Sequence, residues 1–373
     1  MEIKYCKKCF MPSTRPRVVF TESGVCNACE QKKKLIDYEP RKIELANIFK
    51  SVKGKHPEYD CVVAWSGGKD SSSIAIRLRE EFEINPLLVT FSPLIPTPEG
   101  AFNKRKINEL GFDSIEVTPN QRISRYLSRR FFIERGDPKL HWNAGINSAP
   151  IRVAEYFKIP LVFYAEHGES EYGGKVLSEN SLRERDVQEI LENQIGDDPI
   201  NWMDDMVSLE SLHNYQFPRN LGSDNNLKAL YFSYFSKWDV NENIDYVNQY
   251  FNFATSGRGR TYGTFTNYDS VDDQMDDLYY YMQYIKFGFG RCLRDVSRQI
   301  QHGRISKSYG LQLIKEFDGE FPEDTIDGCL EYLDLTRTKF YEIVDQHRPS
   351  YIWQKSSEGW KHKYLSELFQ GDS

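Results

Sequence analysis

Short apolar runs and amphipathic stretches alternate from residue 57 to residue 165. Asp60-Cys-Val-Val-Ala-Trp65, Pro86-Leu-Leu-Val-Thr-Phe91, Ser114–Val117 and Pro160-Leu-Val-Phe-Tyr-Ala165 have strand length and strand composition. Between them, Ser71–Phe82 carries Ile74, Ile76, Leu78 and Phe82 as the apolar positions of a helix packed on a sheet. Phe102–Leu110, Ile123–Phe132 and Ala149–Phe157 read as further helices. This alternation predicts an α/β fold with a parallel sheet, whose ligands bind beyond the carboxyl ends of the strands where the connectivity reverses.

Outside that region the pattern changes. Gln31–Lys53 is charged and periodic, a helical connector closed by Gly54 and Pro57. Leu182–Leu212 reads as helical and acidic, Leu227–Trp238 as an aromatic-rich segment containing a strand, and Asp239–Phe253 as a helix. Thr255–Tyr268 holds three glycines and two arginines without periodicity, which predicts a loop. Asp273–Phe287, Arg291–His302, Lys307–Phe317 and Thr336–His347 predict a helical C-terminal region. The expected division is a ribbon over residues 1–35, a connector over 36–56, the α/β domain over 57–268 and the helical region over 269–373.

The ribbon is read from cysteine spacing. Four of seven cysteines fall as Cys6-x-x-Cys9 and Cys26-x-x-Cys29, two tight turns that let four thiolates converge on Zn²⁺. A closed four-sulfur site is structural, because no position remains open for water. The isolated Cys61, Cys292 and Cys329 read as buried apolar residues.

Composition narrows the function classes. With 39% hydrophobic and 14% aromatic residues the chain is expected to fold throughout. A net charge of -7 disfavours a surface devoted to nucleic-acid backbones. No apolar run reaches the roughly 20 residues that span a bilayer, so no membrane insertion and a cytoplasmic location are expected.

Candidate chemistry centres on Ser66-Gly67-Gly68-Lys69-Asp70-Ser71-Ser72, which follows the first strand and opens a helix. The glycines allow backbone N–H groups to approach an anion, the helix start adds its positive dipole end, and Lys69 adds a full charge. The spacing is not that of a Walker A loop. Asp70 either orients the loop or ligates Mg²⁺. Ala64 and Trp65 lead into the loop, and Val89, Thr90 and Phe91 end the next strand, where an adenine edge is expected. After the fourth strand, Glu166 and Glu169 can bind Mg²⁺ or accept a proton, and His167 can accept a proton or contact substrate. Lys286 and Arg291 flank two glycines and are further candidates for a polyphosphate.

The SGGKDS string resembles the loop of PP-loop ATP pyrophosphatases, which have an adenine nucleotide alpha hydrolase-like, Rossmann-like sheet and split ATP between the α- and β-phosphates. Taken with the ribbon, Tyr164-Ala-Glu-His-Gly-Glu-Ser-Glu-Tyr-Gly-Gly174, Trp238-Asp239, Gly257-Arg-Gly-Arg260, Lys286-Phe-Gly-Phe-Gly-Arg291 and Trp353, nearly the whole chain resembles the N-acetyl sugar amidotransferases. The resemblance implies an enzyme of bacterial surface-polysaccharide synthesis, such as lipopolysaccharide O-antigen, that uses ATP and Mg²⁺. It would adenylylate an N-acetyl carbonyl oxygen on a diacetamido uronic acid or a nonulosonic acid and substitute ammonia. A partner glutaminase would supply the ammonia, alongside a cyclase-like synthase subunit. Tyr172, Gly173, Gly174, Arg258 and Arg260 are then expected to meet the sugar acid. Two departures stand out: no histidine occurs at Leu278-Tyr279-Tyr280-Tyr281, and Cys292 stands where alanine is usual. The competing readings are a tRNA-thiolating PP-loop enzyme and a non-catalytic scaffold with a decayed nucleotide site.

Overall fold

The computed structural model describes residues 3–31, 36–168, 171, 176, 178–218, 227–365 and 368. Five strands, β1 (Cys61–Ala64), β2 (Pro86–Phe91), β3 (Ser114–Val117), β4 (Leu161–Tyr164) and β5 (Lys228–Tyr231), form one sheet in the order β3-β2-β1-β4-β5. All four pairings are parallel, with Ala64 opposite Val89 and Val63 opposite Phe163. This is the expected α/β fold.

Successive strand residues point to opposite faces, and each face has its own core. Cys61, Val63, Leu88 and Phe163 pack with Ile74 and Leu78 of helix α3 (Lys69–Phe82) and with Leu45 and Phe49 of helix α2 (Glu39–Val52). Val62, Leu87, Val89 and Val162 pack with Ile151 and Ala154 of helix α6 (Leu140–Phe157). Burying each of the valine, leucine, isoleucine and phenylalanine side chains among them contributes roughly 1.5–3 kcal/mol. Helices α4 (Pro98–Glu109) and α5 (Gln121–Arg135) complete the three crossovers from β1 to β4, and short helix α1 (Asn27–Gln31) lies in the ribbon.

Three elements depart from the periodicity. Helix α6 starts at Leu140 rather than Ala149 and continues through Pro150. Proline removes one helix hydrogen bond, but Leu140, Ala144 and Ala149 are buried on either side, so packing outweighs that loss. Leu182–Leu212 is not one helix. It breaks into Glu179–Arg183, Val187–Ile190, a π-turn at Leu191–Ile195, Pro199–Trp202 and Glu210–Leu212. Asp186 caps one piece by accepting from Glu189 N–H, and left-handed Gly196 ends another. Helix Ile326–Leu333 and the hairpin β6 (Trp353–Ser356) with β7 (Gly359–His362) had no periodic signal long enough to detect.

The helical region after residue 269 shares its core with the sheet domain. Leu94 and Phe132 pack with Met275, Leu278, Met282 and Phe340. Asp273, 1% exposed, joins the two parts: its carboxylate accepts from Leu94 N–H, Ile95 N–H and Met275 N–H, each at 3.0 Å, and from Lys139 Nζ at 3.1 Å.

Helix α6 crosses β2 at a glycine. A Cβ on Gly145 would lie 2.3 Å from the Phe91 ring. Alanine normally stabilises a helix interior by about 1 kcal/mol over glycine. Gly145→Ala is expected to reverse that sign and destabilise the protein by roughly 1–3 kcal/mol through overpacking, read as a lowered midpoint in denaturant unfolding; an unchanged or raised midpoint contradicts this packing.

Candidate functional site

The chain leaves β1 toward β2 on one side of the sheet, while β4 pairs on the other side of β1. This reversal opens a crevice at the carboxyl ends of β1 and β4, where ligands of open α/β sheets bind. A cavity of about 540 Å³ occupies it, bounded by the Ser66–Ser71 loop, the ends of β2 and β4, helix α6, Tyr268–Asp272 and the start of helix Met275–Phe287. The volume suits a small organic ligand.

The loop is shaped by its own hydrogen bonds. Gly67 has φ +88, and a Cβ there would sit 2.7 Å from the Lys104 side chain. Gly68 caps helix α3, and its N–H donates to Ser66 Oγ at 3.1 Å. Trp65 Nε1 donates to Ser72 Oγ at 3.0 Å, and Thr90 Oγ1 donates to the Trp65 carbonyl at 2.6 Å, pinning the loop to helix and sheet. The first turn of α3, Lys69–Ser71, borders the cavity, so the positive end of the helix dipole lies beside it.

Charged groups on the wall are closely paired. Lys69, 2% exposed, donates to Asp70 at 2.8 Å and to Asp269. Burial opposes its charged form, yet Asp269 and Asp70 hold the ammonium above its ordinary pKa. Asp70 is fixed in turn by Asn243 Nδ2 at 2.8 Å, from helix Val240–Asn248. Asp239 caps that helix and pairs with His302 and Arg304, which accounts for the Trp238-Asp239 motif structurally. Lys139 lies 3.8 Å from the Trp142 ring centroid and pairs with Asp273 and Asp276. Burial first, then Asp276 and Asp273, pushes the Asp272 carboxyl up to about 6.

Of the residues singled out from sequence, Ala64, Trp65, Ser66, Gly68, Lys69, Asp70, Ser71, Val89, Phe91 and Glu166 line this cavity. Gly67, Ser72 and Thr90 support the loop from outside the lining. His167 is buried against the Tyr231 ring, with Nε2 3.2 Å from Glu189 Oε1, and lies outside the lining. Lys286 also lies outside it, where burial lowers its pKa against the pull of Asp137. Arg291, 1% exposed, sits behind the wall with its guanidinium carbon 4.6 Å from the centroid of Tyr280, a lining residue. Its Nε stands 3.9 Å from Asp295 Oδ2, an ion pair too long for a hydrogen bond, and none of its nitrogens has a hydrogen-bond partner among the described residues.

The glycines between Lys286 and Arg291 turn one helix into the next. Gly290 N–H donates to Asp318 at 2.8 Å, and the Gly288 carbonyl lies 3.1 Å from His362 Nε2, so neither serves a ligand's approach. Arg258 lines a separate cavity of about 280 Å³ and pairs with Asp324 and Asp277. Arg260 grips both Glu320 oxygens, at 2.6 and 2.7 Å. Glu169, Tyr172, Gly173 and Gly174 lie outside the described residues.

Other wall residues escaped the sequence reading: Lys139, Trp142, Asn147, Arg185, Asp269, Asp272 and Asp276, while Tyr280 comes from the Leu278–Tyr281 segment noted for its missing histidine. The Asp272–Asp277 run, with acids three and four apart before an apolar helix, was their one local signal.

The four paired cysteines form a buried cluster whose ligand atoms all lie within 4.8 Å of one another. Cys6 and Cys29 Sγ are 3.9 Å apart and Cys9 and Cys26 Sγ 3.6 Å apart. Sulfurs bound tetrahedrally at ~2.3 Å to zinc stand about 3.8 Å apart, so the cluster fits that ion. The ribbon packs on helix Arg291–Gln301 through Phe10, Met11, Cys292, Leu293 and Val296, and Ser297 Oγ donates to the Cys9 carbonyl at 2.7 Å. Its loop carries Arg15 into the cavity wall.

The fold and site therefore define an α/β protein with a glycine-rich, anion-suited loop at a sheet switch point and a zinc-type ribbon docked beside it. Residues 262–366 match the family described as "LPS biosynthesis protein WbpG-like, C-terminal domain", which fits a sugar-modifying role. A 131-residue stretch is 33% identical to "Uncharacterized protein MJ1599" of Methanocaldococcus jannaschii, covering 35% of this chain and 44% of that protein. The alignment thus spans less than half of that relative. No helix among the described residues is long and apolar enough to cross a membrane.

Two outcomes are expected. Freshly purified protein should hold one zinc per chain by elemental analysis, and Cys26→Ser should lose it and melt at lower temperature; a metal-free, fully stable native protein contradicts the ribbon. Asp272 has a folded pKa above its ordinary 3.8, so its contribution to stability is present at low pH and lost as pH rises through about 6. Asp272→Asn should therefore raise the melting temperature at pH 7 and lose that advantage by pH 4. A pH-independent difference contradicts the assignment.

Proposed function

We propose that this protein is an ATP-dependent, AMP-forming amidotransferase that converts an N-acetyl group of a sugar to an acetamidino group. One observation carries this reading: the Ser66–Ser71 loop at the end of β1 and Glu166 beyond β4 face the same cavity. A nucleotide phosphate at the helix start and an acceptor beside Glu166 can therefore meet there. The lipopolysaccharide-type match supports a sugar as that acceptor.

The residues fit the nucleotide. Ala64, Val89 and Phe91 offer an apolar wall for adenine, and the first turn of α3 offers N–H donors for phosphates. The same wall holds the carboxylates of Asp70, Glu166, Asp269, Asp272 and Asp276 beside Arg15, Lys69, Lys139 and Arg185. A polyanion is accommodated among so many acids when a divalent cation accompanies it. Asp70 would hold Mg²⁺, with Glu166 as the alternative ligand, and the ion would supply charge neutralisation on the phosphates.

In the proposed reaction the acetamido carbonyl oxygen attacks the α-phosphorus and pyrophosphate leaves. Ammonia then adds to the activated carbon and AMP departs, leaving the amidine. With Mg²⁺ on Asp70, Glu166 would accept the proton that the incoming ammonia sheds. The protein's contribution is orientation and electrostatics: the helix start and Lys69 face the phosphates. Ammonia comes from a partner glutaminase. A thiolating reaction is disfavoured because Cys61, Cys292 and Cys329 are fully buried and none lines the cavity.

Incubation with ATP, Mg²⁺, ammonium and N-acetylated sugar acids should yield AMP, pyrophosphate and a product one mass unit lighter, as expected when oxygen gives way to NH. Formation of ADP, or of AMP only with tRNA and a sulfur donor, overturns the proposal. Lys69→Ala should abolish pyrophosphate release. Removing one partner from a buried ion pair costs about 3–5 kcal/mol, so the Lys69→Ala/Asp269→Asn double variant is the control for folding. Near-normal turnover in a folded variant contradicts the role of Lys69.

A further inference from the structure

Cations in and around the site are mostly neutralised by the protein itself. Lys69 is held by Asp70 and Asp269, and Lys139 by Asp273 and Asp276. Arg258 and Arg260, the arginines expected to read a sugar acid, are taken by Asp324 and Glu320.

Arg185 is different. It lines the cavity, is 9% exposed, and forms no ion pair among the described residues. Its Nε–H is buried without a partner. The guanidinium makes a single hydrogen bond, from Nη2 to Asn147 Oδ1. Its carbon stands 3.6 Å from the Tyr164 ring centroid and 5.1 Å from that of Tyr231. The backbone is fixed as well: Arg185 N–H donates to the Ala229 carbonyl at 2.9 Å. Tyr164 ends β4 and Tyr231 ends β5, so Arg185 stands over the side of the crevice away from β2.

A buried guanidinium with no carboxylate in ion-pair contact among the described residues is costly to keep, and two aromatic faces with one neutral amide do not supply an anion. We propose that Arg185 is the binding residue for the carboxylate of an acidic acceptor sugar, so that the nucleotide occupies the β1–β2 side of the cavity and the acceptor the β4–β5 side. A planar guanidinium matches a carboxylate and is pre-oriented here by Tyr164, Tyr231 and Asn147. The nature of the acceptor rests on the amidotransferase reading, whereas the anion site rests on the geometry of Arg185 alone. Sequence gave no hint of it, because Arg185 lies in Glu184-Arg185-Asp186 with no glycine or motif beside it.

The test uses two pairs of probes that differ in one carboxylate: UDP-N-acetylglucosaminuronic acid against UDP-N-acetylglucosamine, and N-acetylneuraminic acid against its methyl ester. Binding to the intact wild-type protein and to Arg185→Gln is measured by calorimetry. A charge-assisted hydrogen bond is worth about 1.5–3 kcal/mol, so the wild type should prefer the acid of at least one pair by about 10- to 100-fold. Arg185→Gln should remove that preference while leaving affinity for the neutral partner unchanged, and Arg185→Lys should restore part of it. Absence of acid preference in the wild type for both pairs overturns the proposal. So does a preference that survives in Arg185→Gln, or an equal weakening of acid and neutral ligand, which would assign Arg185 to phosphate or to folding. If the acid preference depends on Arg185 but no N-acetylated acid supports AMP formation, the carboxylate site stands and the amidotransferase reading falls.

Discussion

The carboxylate of Asp273 is the contact on which the site depends. It is buried, and it accepts from the backbone of Leu94 and Ile95 after β2, from Met275 at the start of a C-terminal helix, and from Lys139 just before α6. Three parts of the chain distant in sequence are thereby held at one point. Breaking a buried, multiply bonded carboxylate leaves several donors unpaired, each costing roughly 1–3 kcal/mol. With Asp273 in place, the preceding residues run across the mouth of the crevice. Asp269 then reaches Lys69, and Asp272 and Asp276 face the cavity.

The cavity is consequently a shared construction rather than a property of the sheet domain. The sheet supplies the glycine-rich loop and the two strand ends at the switch point. The C-terminal region supplies Asp269, Tyr280 and, behind it, the buried Arg291, which pairs with Asp295. The ribbon rests on the helix that begins with Arg291 and extends Arg15 into the same wall. Zinc at the four cysteines would therefore act on the site only through this docking, since the cysteines themselves are buried in the ribbon core.

The α/β pattern was legible because continuous apolar strands and amphipathic helices bury one kind of face each, as Val63 and Val62 do on opposite sides of β1. The loop and the cysteine cluster were legible because their chemistry depends on neighbours within a few residues. Arg185 and Lys139 were not, since their partners lie on other elements: Tyr231 for the first, Asp273 and Asp276 for the second. The first half of helix α6, before Ala149, was not legible because Gly145 is a local breaker whose tolerance comes from close contact with Phe91. The Lys286–Arg291 glycines resemble a ligand loop locally, but Asp318 and His362, remote in sequence, already occupy that space.

The central claim is that one cavity brings an amide carbonyl oxygen to the α-phosphorus of ATP. The most direct measurement is the fate of that oxygen. With the acceptor's acetamido carbonyl labelled with ¹⁸O, and ATP, Mg²⁺ and ammonium supplied, the proposed reaction transfers the label to the phosphate of AMP and leaves the amidine product without it. Unlabelled AMP, with ¹⁸O retained in the sugar or lost to water, would contradict the account.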